Sequence, residues 1–478
     1  MPKSLKKNAV YSAIKSLMNI AFPLVSFPYA SRILLPEGIG RVNFANSIVD
    51  YFLLIAGLGI NAYGSREAAI FRGNKHQLNK FAREMLFINF CSMLIAYMLF
   101  FIAIFCIPQL NSNRILLCVI ATKILFQSIG MEWLYNSQEE YQYITIRAIF
   151  FQIAGLVFLF IFVKNSDDYI KYALIGVISS VGANICNLFC SRKFINIFER
   201  HIVEIRKHLK SIFTFLGLNI ASRLYELIDT TMLGFLINDV AVGFYVAANK
   251  MISMVISLMT AVLNTFLPRS SFYYKNNMKS EYTNLVENSF SLALFFSIPA
   301  TVGMFLLSKS IIMVFSGSEY LPSLFPMRIL CPEIIFCTLC AVTNNIILNP
   351  QKKEKIVLYA QIIACVLNIL LNNTLIRRYN VKGAAIATFI SNFAVFIFVF
   401  IFSRKYLLKK QIFIDLLQIC LSSIVMGSTV YTIIKYIQIP LLQILCGVAF
   451  GSIVYTVIMC IMKNRLAVII LKMIKIKI

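Results

Sequence analysis

Apolar runs of about twenty residues, each long enough to cross a bilayer, recur from end to end of this 478-residue chain. A backbone in hydrocarbon has no water to bond to, so such runs predict helices that satisfy their own hydrogen bonds. Fourteen spans are expected, at roughly 9–34, 43–69, 84–107, 115–135, 143–163, 169–190, 212–237, 242–267, 284–307, 323–348, 356–376, 383–402, 413–434 and 440–462. The chain is 59% hydrophobic, only 14% charged and has a mean hydropathy of +0.79, far from the balance of a soluble domain. Met1 to Asn8 is too short and polar for a signal peptide.

Within that series the chain echoes itself. Gly40, Ala45 and Asn46 recur as Gly243, Ala248 and Asn249, and Asn136 and Gln138 as Asn349 and Gln351. Ile178-Ser179 and Ser191-Arg192-Lys193 recur as Ile390-Ser391 and Ser403-Arg404-Lys405. The offsets are 203, 213 and 212, so order is kept with one insertion of about ten residues. The expected fold is an all-α polytopic membrane protein of about 14 transmembrane helices. Two six-helix lobes would be related by pseudo-two-fold symmetry, with two C-terminal helices added. The expected divisions are an N-lobe at 1–190 (spans 1–6), a cytoplasmic amphipathic linker at 191–211, a C-lobe at 212–405 (spans 7–12), and spans 13–14 with a basic tail at 406–478. In the linker Ile195, Phe198, Ile202, Ile205, Leu209 and Ile212 recur at spacings of three and four, which predicts a helix lying on the inner membrane surface. The tail, with Arg465 among its cations, reads the same way.

The net charge of +25 is topological rather than a nucleic-acid footprint. Connections on the side of the N-terminus carry 28 Lys and Arg, and those on the opposite side carry 8. That asymmetry predicts both termini in the cytoplasm. The sequence shows no HExxH pair, Gly-rich phosphate loop or nucleotide cassette, which argues against a metal hydrolase or an ATP-driven pump. The twelve cysteines fall almost wholly inside spans and read as packing residues rather than a disulfide framework.

Chemistry is expected in polar stripes within the spans. Asn43, Ser47, Asp50, Gly57, Asn61 and Ser65 share one face of span 2, and Lys250, Ser253, Ser257, Thr260 and Asn264 share one face of span 8. The repeat aligns these two stripes. Span 7 adds Asn219, Arg223, Glu226 and Asp229. Arg32, Lys123 and Arg147 also sit at membrane depth, where each charge costs about 2.5–3.5 kcal/mol at a helix centre unless it meets water or a partner. A hydrated cavity rich in cations would suit an anionic headgroup, phosphate above all. Pro23, Pro28, Pro299 and Pro332 interrupt spans and predict kinks.

Pro28-Tyr29-Ala30-Ser31-Arg32-Ile33-Leu34 leading to Pro36-Glu37-Gly38-Ile39-Gly40, then Leu58 to Glu67, Glu132-Trp133-Leu134-Tyr135 and Asp229 to Lys250, resemble polysaccharide flippases. The likeness runs over roughly 1–405 and points to the Wzx-type O-antigen and capsule repeat-unit translocases of the multidrug/oligosaccharidyl-lipid/polysaccharide exporter superfamily. Leu35 departs from the pattern, which usually has Gly before the Pro. The resemblance implies a bacterial inner-membrane protein, not an enzyme, that moves an undecaprenyl-diphosphate-linked oligosaccharide to the outer leaflet by alternating access. Membrane lipid and the polymerase and chain-length proteins of the same pathway are the implied partners, with no nucleic acid. No cofactor is expected, and proton or sodium coupling is the energetic option. Arg223, Lys250 and Arg32 are expected at the diphosphate, with Asn61, Asn219 and the serines at sugars. Asp50, Glu226 and Asp229 would balance the cations, with Lys123 and Arg147 completing the cavity set. The competing readings are a multidrug or other lipid-linked-substrate exporter of the same superfamily, and a repeat-unit polymerase or lipid-linked glycosyltransferase. Cavity cations argue against the first, and the short outer connections against the second.

Overall fold

The computed structural model describes residues 5–196, 204–407 and 409–467. Side chains at 5, 6, 9, 215, 218, 219, 221, 222 and 407 also fall outside the description. The described residues are helical throughout, joined by short turns. They divide into two compact units, Met1–Gly243 and Phe244–Ile478. Among the described residues, eleven helices are long and apolar enough to cross a membrane, or twelve if the bent pair Ser318–Leu330 and Glu333–Leu348 is one span. The protein is therefore a multi-pass helical membrane protein.

Unit 1 opens with α1, Leu5–Gly57, which is two helices end to end. They part at Leu35, whose φ of 59° and ψ of 176° are not helical. Pro36 is the cause of the position: the residue before a proline is pushed out of the α region, while proline itself suits a first helical turn. Pro23 and Pro28, expected to interrupt the first span, lie inside a continuous helix instead. A second break at Leu58 (φ 44°) and Gly59 (φ 76°) separates α2, Ile60–Ile70. Next come α3 (Lys75–Cys106), α4 (Pro108–Asn111), α5 (Arg114–Ile129), α6 (Glu132–Ser137), α7 (Tyr141–Phe162), α8 (Tyr169–Val181), α9 (Ala183–Cys190) and α10 (Arg206–Leu236). The core of the unit is aromatic. Trp133, the one tryptophan, meets Phe81 edge to face at 5.6 Å in a buried cluster with Tyr63 and Met85, and Gly64 lies so close that a Cβ there would meet the Trp133 ring at 2.9 Å.

The structure replaces part of the surface-helix expectation for 191–211. Phe198 and Ile202 lie outside the described residues, but Ile195 and Ile212 are buried in the aromatic core rather than lying on a membrane surface. The start of α10 is fixed by a buried carboxylate. Glu84 on α3 accepts from Lys207 Nζ at 2.9 Å and from the Glu204 amide at 3.1 Å, and lies 2.8 Å from His208 Nε2. His208 Nδ1 is 2.6 Å from the Tyr63 hydroxyl.

Unit 2 takes in α11 (Asp239–Asn264, beginning in unit 1), α12 (Leu267–Lys275), α13 (Lys279–Phe315), α14 (Leu324–Leu330) and α15 (Glu333–Val342). A π-helical turn at Thr343–Leu348 follows. The unit closes with α16 (Glu354–Tyr379), α17 (Val381–Leu407), α18 (Lys410–Tyr436) and α19 (Pro440–Ile461). The α14–α15 pair bends by 46° beside Pro332, whereas Pro299 sits inside continuous α13.

The last two spans belong to the core of unit 2. Ile412, Ile419, Met426, Tyr455 and Met459 pack with Phe290, Leu294 and Phe295 of α13. A buried network ties them further. Asp415 is fully buried, 2.9 Å from Arg465 Nη2, and accepts from Ser291 Oγ at 2.7 Å and from Asn464 Nδ2 at 3.2 Å. The expectation that Arg465 lies on a membrane surface is corrected by this inward turn.

Candidate functional site

Of the polar stripe predicted on span 2, Asn61 and Ser65 lie on α2, beyond the break at Leu58 and Gly59, whereas Asn43, Ser47, Asp50 and Gly57 lie on the second half of α1. Asparagine and serine there spend hydrogen bonds on the helix itself: Asn43 and Asn46 donate to the carbonyls of Ile39 and Val42, and Ser47 to that of Phe44. This back-bonding leaves the outer atoms of the stripe for partners on other helices. Lys123 of α5 donates to Asn46 Oδ1 and lies within electrostatic reach of Asp50, one helical turn further on. Asp50 is half-buried and also feels Arg223 of α10. On α10 Arg223 pairs with Glu226 at 2.8 Å, and both remain well exposed, at 62% and 58%. Two such charges midway along a helix would be costly against hydrocarbon, so this face calls for water or a polar ligand.

Below the charges α10 is locked onto α1. Thr231 Oγ1 lies 3.0 Å from Ser47 Oγ and 3.1 Å from Tyr51 Oη. Phe44 meets Phe235 edge to face at 5.2 Å and covers Gly234, where a Cβ would be 2.1 Å from the ring. Arg41 then bridges Glu37 at 2.7 Å and Asp239 at 3.3 Å. The charged cluster therefore rests on a close-packed base, which positions its side chains.

Of the ten residues singled out in the sequence, the structure brings four together: Asp50, Lys123, Arg223 and Glu226. Asp229 is buried on the same helix, α10. Arg147 stands in another cluster. It is 9% exposed, donates to the Ala183 carbonyl at 2.9 Å, lies 5.6 Å over the Tyr143 ring, and feels Glu132, which pairs with Lys15 at 2.8 Å. Arg32 is exposed on the first half of α1, before the break at Leu35. Asn61 is exposed in the first turn of α2, its carbonyl taken by Ser65. Lys250 is half-buried on α11 in unit 2, with Ser253 and Ser257 exposed along its helix. The side chain of Asn219 lies outside the described residues.

Sequence reading missed Asn46, Tyr51 and Thr231. Asn46 was within reach of it, being four residues before Asp50 and so on the same helix face. Nothing local announces that Tyr51 and Thr231 meet, since they are 180 residues apart.

Comparison with known proteins adds the family. The family model described as "Polysaccharide biosynthesis protein" matches residues 5–273, and the MatE model matches 215–374. A putative O-antigen transporter of Escherichia coli (strain K12) is 22% identical over 273 residues, 56% of this chain and 65% of that protein. The chain thus spans just under two thirds of that relative's length. A putative O-antigen transporter of Shigella dysenteriae is 22% identical over 411 residues, 82% of this chain and 98% of that one. Among solved structures, the lipid II flippase MurJ in an inward closed conformation matches 96% of this chain and 99% of its own, with a TM-score of 0.75 and 18% identity. An inward-facing multidrug resistance MATE family transporter covers 83% and 97%, with a TM-score of 0.60 and 16% identity. Identities this low carry the fold alone, but the first family model covers more than half of the sequence. The chain belongs to the polysaccharide biosynthesis protein family.

Proposed function

We propose that the protein is a flippase. It moves an undecaprenyl-diphosphate-linked oligosaccharide repeat unit from the cytoplasmic to the outer leaflet of a bacterial inner membrane, for O-antigen or capsule assembly. It is read as a transporter rather than a catalyst, in line with relatives named as O-antigen transporters and flippases. The observation that carries the reading is the cluster of Asp50, Lys123, Arg223 and Glu226: mixed charge, part exposed, with Asp50 and Lys123 on candidate membrane spans, in a member of this family.

The physical task fits such a cluster. A sugar headgroup cannot cross hydrocarbon, because each hydroxyl would lose its hydrogen bonds. A hydrated path with cations can hold the diphosphate while amide and hydroxyl groups replace water around the sugars. In this reading Arg223, Arg32 and Lys250 meet phosphate, and Asn61, Asn219 and the serines meet sugar. Lys123 and Arg147 add positive potential. Asp50, Glu226 and Asp229 offset the cations or exchange protons if transport is ion-coupled. Access would alternate between the two sides of the membrane, with the lipid tail left in the bilayer.

The finer topology belongs to the same proposal. Counting Val10–Ile70 as two passes parted at Leu35, the bent pair as one and α10 as another gives fourteen crossings, an even number that leaves both termini on one side; the excess of Lys and Arg in the connections on that side is the reason to read it as the cytoplasm. The α10 helix is 31 residues long, enough to span, but carries Arg223, Glu226 and Asp229.

The MatE match over 215–374 keeps a drug exporter as the second reading. A deletion strain separates the two. Repeat units trapped on the cytoplasmic leaflet, with surface polymer lost and restored by the intact gene, is the expected result. Unchanged polysaccharide with altered drug tolerance would replace the flippase reading with the exporter. Units that reach the outer leaflet but stay unpolymerised would replace it with a polymerase.

A further inference from the structure

At one end of unit 2 a cleft of about 430 Å³ opens between the α12–α13 turn and the end of α17. Its chemistry comes from Tyr274, Lys279, Tyr282, Lys405 and Tyr406. The three tyrosines form a continuous wall, with Tyr274 to Tyr282 ring centroids at 5.4 Å and Tyr282 to Tyr406 at 5.7 Å. The middle ring is fixed. Tyr282 is 4% exposed, its hydroxyl donates to the Ile346 carbonyl at 3.2 Å, and Gln351 Nε2 donates to that hydroxyl at 3.3 Å.

The electrostatics of the cleft are one-sided. Lys279 and Lys405 are exposed, and among the described residues neither has an ion-pair partner. The carboxylates nearby are turned away or engaged. Glu281 is about 200° round the helix from Lys279, and Glu287 faces Lys409 at 3.9 Å. Helix α13 begins at Lys279, so the positive end of its dipole lies at the rim.

The cleft also sits at a boundary. Lys279 begins one candidate membrane span and Tyr406 ends another, so apolar helix lies on one side of it and water on the other. Tyrosine and lysine are common at such boundaries because each has an apolar body and a polar tip. What is added here is a concave space, a fixed aromatic wall and two uncompensated cations. An inorganic anion would have no use for the wall, and a neutral lipid none for the lysines.

We propose that this cleft binds the phosphate headgroup of an anionic lipid. Lys279 and Lys405 hold phosphate oxygens, and Tyr274, Tyr282 and Tyr406 pack against the adjoining glycerol or sugar. The lipid is a bilayer phospholipid or a polyprenyl phosphate; the phosphate chemistry is common to both. The inference stands whether or not the transport reading is right.

The test uses the full-length protein in detergent, with lipid retention followed by native mass spectrometry. The probes are phosphatidylglycerol, phosphatidylcholine, undecaprenyl phosphate and inorganic phosphate. Lys279→Gln with Lys405→Gln removes both charges but keeps the side-chain stems. Lys352→Gln with Lys353→Gln is the control for lost surface charge. Each lysine near a membrane surface adds several-fold to anionic-lipid affinity, so the cleft variant is expected to retain anionic lipid on the order of tenfold less than the wild type or the control. Phosphatidylcholine should be retained equally by all three. A loss confined to phosphatidylglycerol assigns the site to bilayer lipid, and a loss confined to undecaprenyl phosphate assigns it to the carrier. Equal retention of anionic lipid by cleft variant and wild type overturns the proposal, as does displacement of the lipid by equimolar inorganic phosphate. Matching melting temperatures for the variants exclude misfolding as the cause, and a Tyr274→Ala variant that weakens retention without changing net charge gives an independent check.

Discussion

Gly40 and Gly243, which the internal repeat aligns, pack backbone to backbone. A Cβ on Gly40 would lie 1.7 Å from the Asp239 carbonyl oxygen and 2.9 Å from the Gly243 nitrogen, and a Cβ on Gly243 would lie 2.0 Å from the Pro36 carbonyl oxygen. No flexible side chain is available to yield at these points. Gly243→Ala is therefore expected to cost about 1–3 kcal/mol through backbone displacement, read as a lower melting temperature in detergent. Gly303→Ala, with nothing within 4 Å of the added atom, is the contrast. It lies inside α13 and should be neutral or stabilising by about 0.5–1 kcal/mol.

Leu35 occupies a backbone conformation, φ 59° and ψ 176°, that suits glycine. Its side chain is 40% exposed, so little packing is lost by removing it. Leu35→Gly is expected to raise stability by about 1 kcal/mol by relieving strain, measured by thermal unfolding. A drop in melting temperature would mean that the leucine side chain matters more than the strain.

Asp50 and Lys123 lean on each other across two helices. Removing either leaves its partner's charge in a half-buried place, which costs more than removing both. Asp50→Asn and Lys123→Met should each reduce surface polysaccharide in a complementation assay. In melting experiments the double variant should be less destabilised than the sum of the singles, with a coupling of about 0.5–3 kcal/mol. Strict additivity would separate the two residues.

Asp168 caps the turn before α8. Hydrogen-bonded contact with Lys171 at 2.7 Å and the amides of Lys164 and Asn165, each at 2.9 Å, hold its carboxyl down to about 2. A depressed folded pKa contributes stability above the unfolded value of about 3.9 that is lost as pH falls through about 2. The turn should thus stay intact at pH 4. Hydrogen exchange at pH 4 is expected to show Lys164 and Asn165 amides protected in the wild type and unprotected in Asp168→Ala. Equal exchange would remove the cap.

The helices were legible because apolar runs of bilayer length have few other uses. Their breaks were legible in part: the departure at Leu35 drew notice in the sequence, while Pro23, Pro28 and Pro299 lie inside helices that run on without a break, as proline can within a membrane span. The stripe of α1 emerged from helical periodicity alone. Its partners did not, since Lys123 and Asn46 are 77 residues apart and the pairing is set by tertiary packing. His208 shows the same limit. It falls within the linker expected at 191–211, yet folding buries it against Glu84, 124 residues away. Arg147 sits in a different cluster for a related reason: depth in a span says that a charge needs a partner, not which cluster will supply it.

The Asp415–Arg465 pair changes what the end of the chain is for. Helices that have no counterpart in the first half look like a removable addition, yet their polar anchor is fully buried and reaches Ser291 on α13. A protein shortened after residue 405 would keep every residue of the charged cluster and still lose the lining that shields Phe290, Leu294 and Phe295. Its failure would then report a broken wall and say nothing about transport. Dissecting this protein by trimming would therefore mislead, and single substitutions within the intact chain are the sounder instrument.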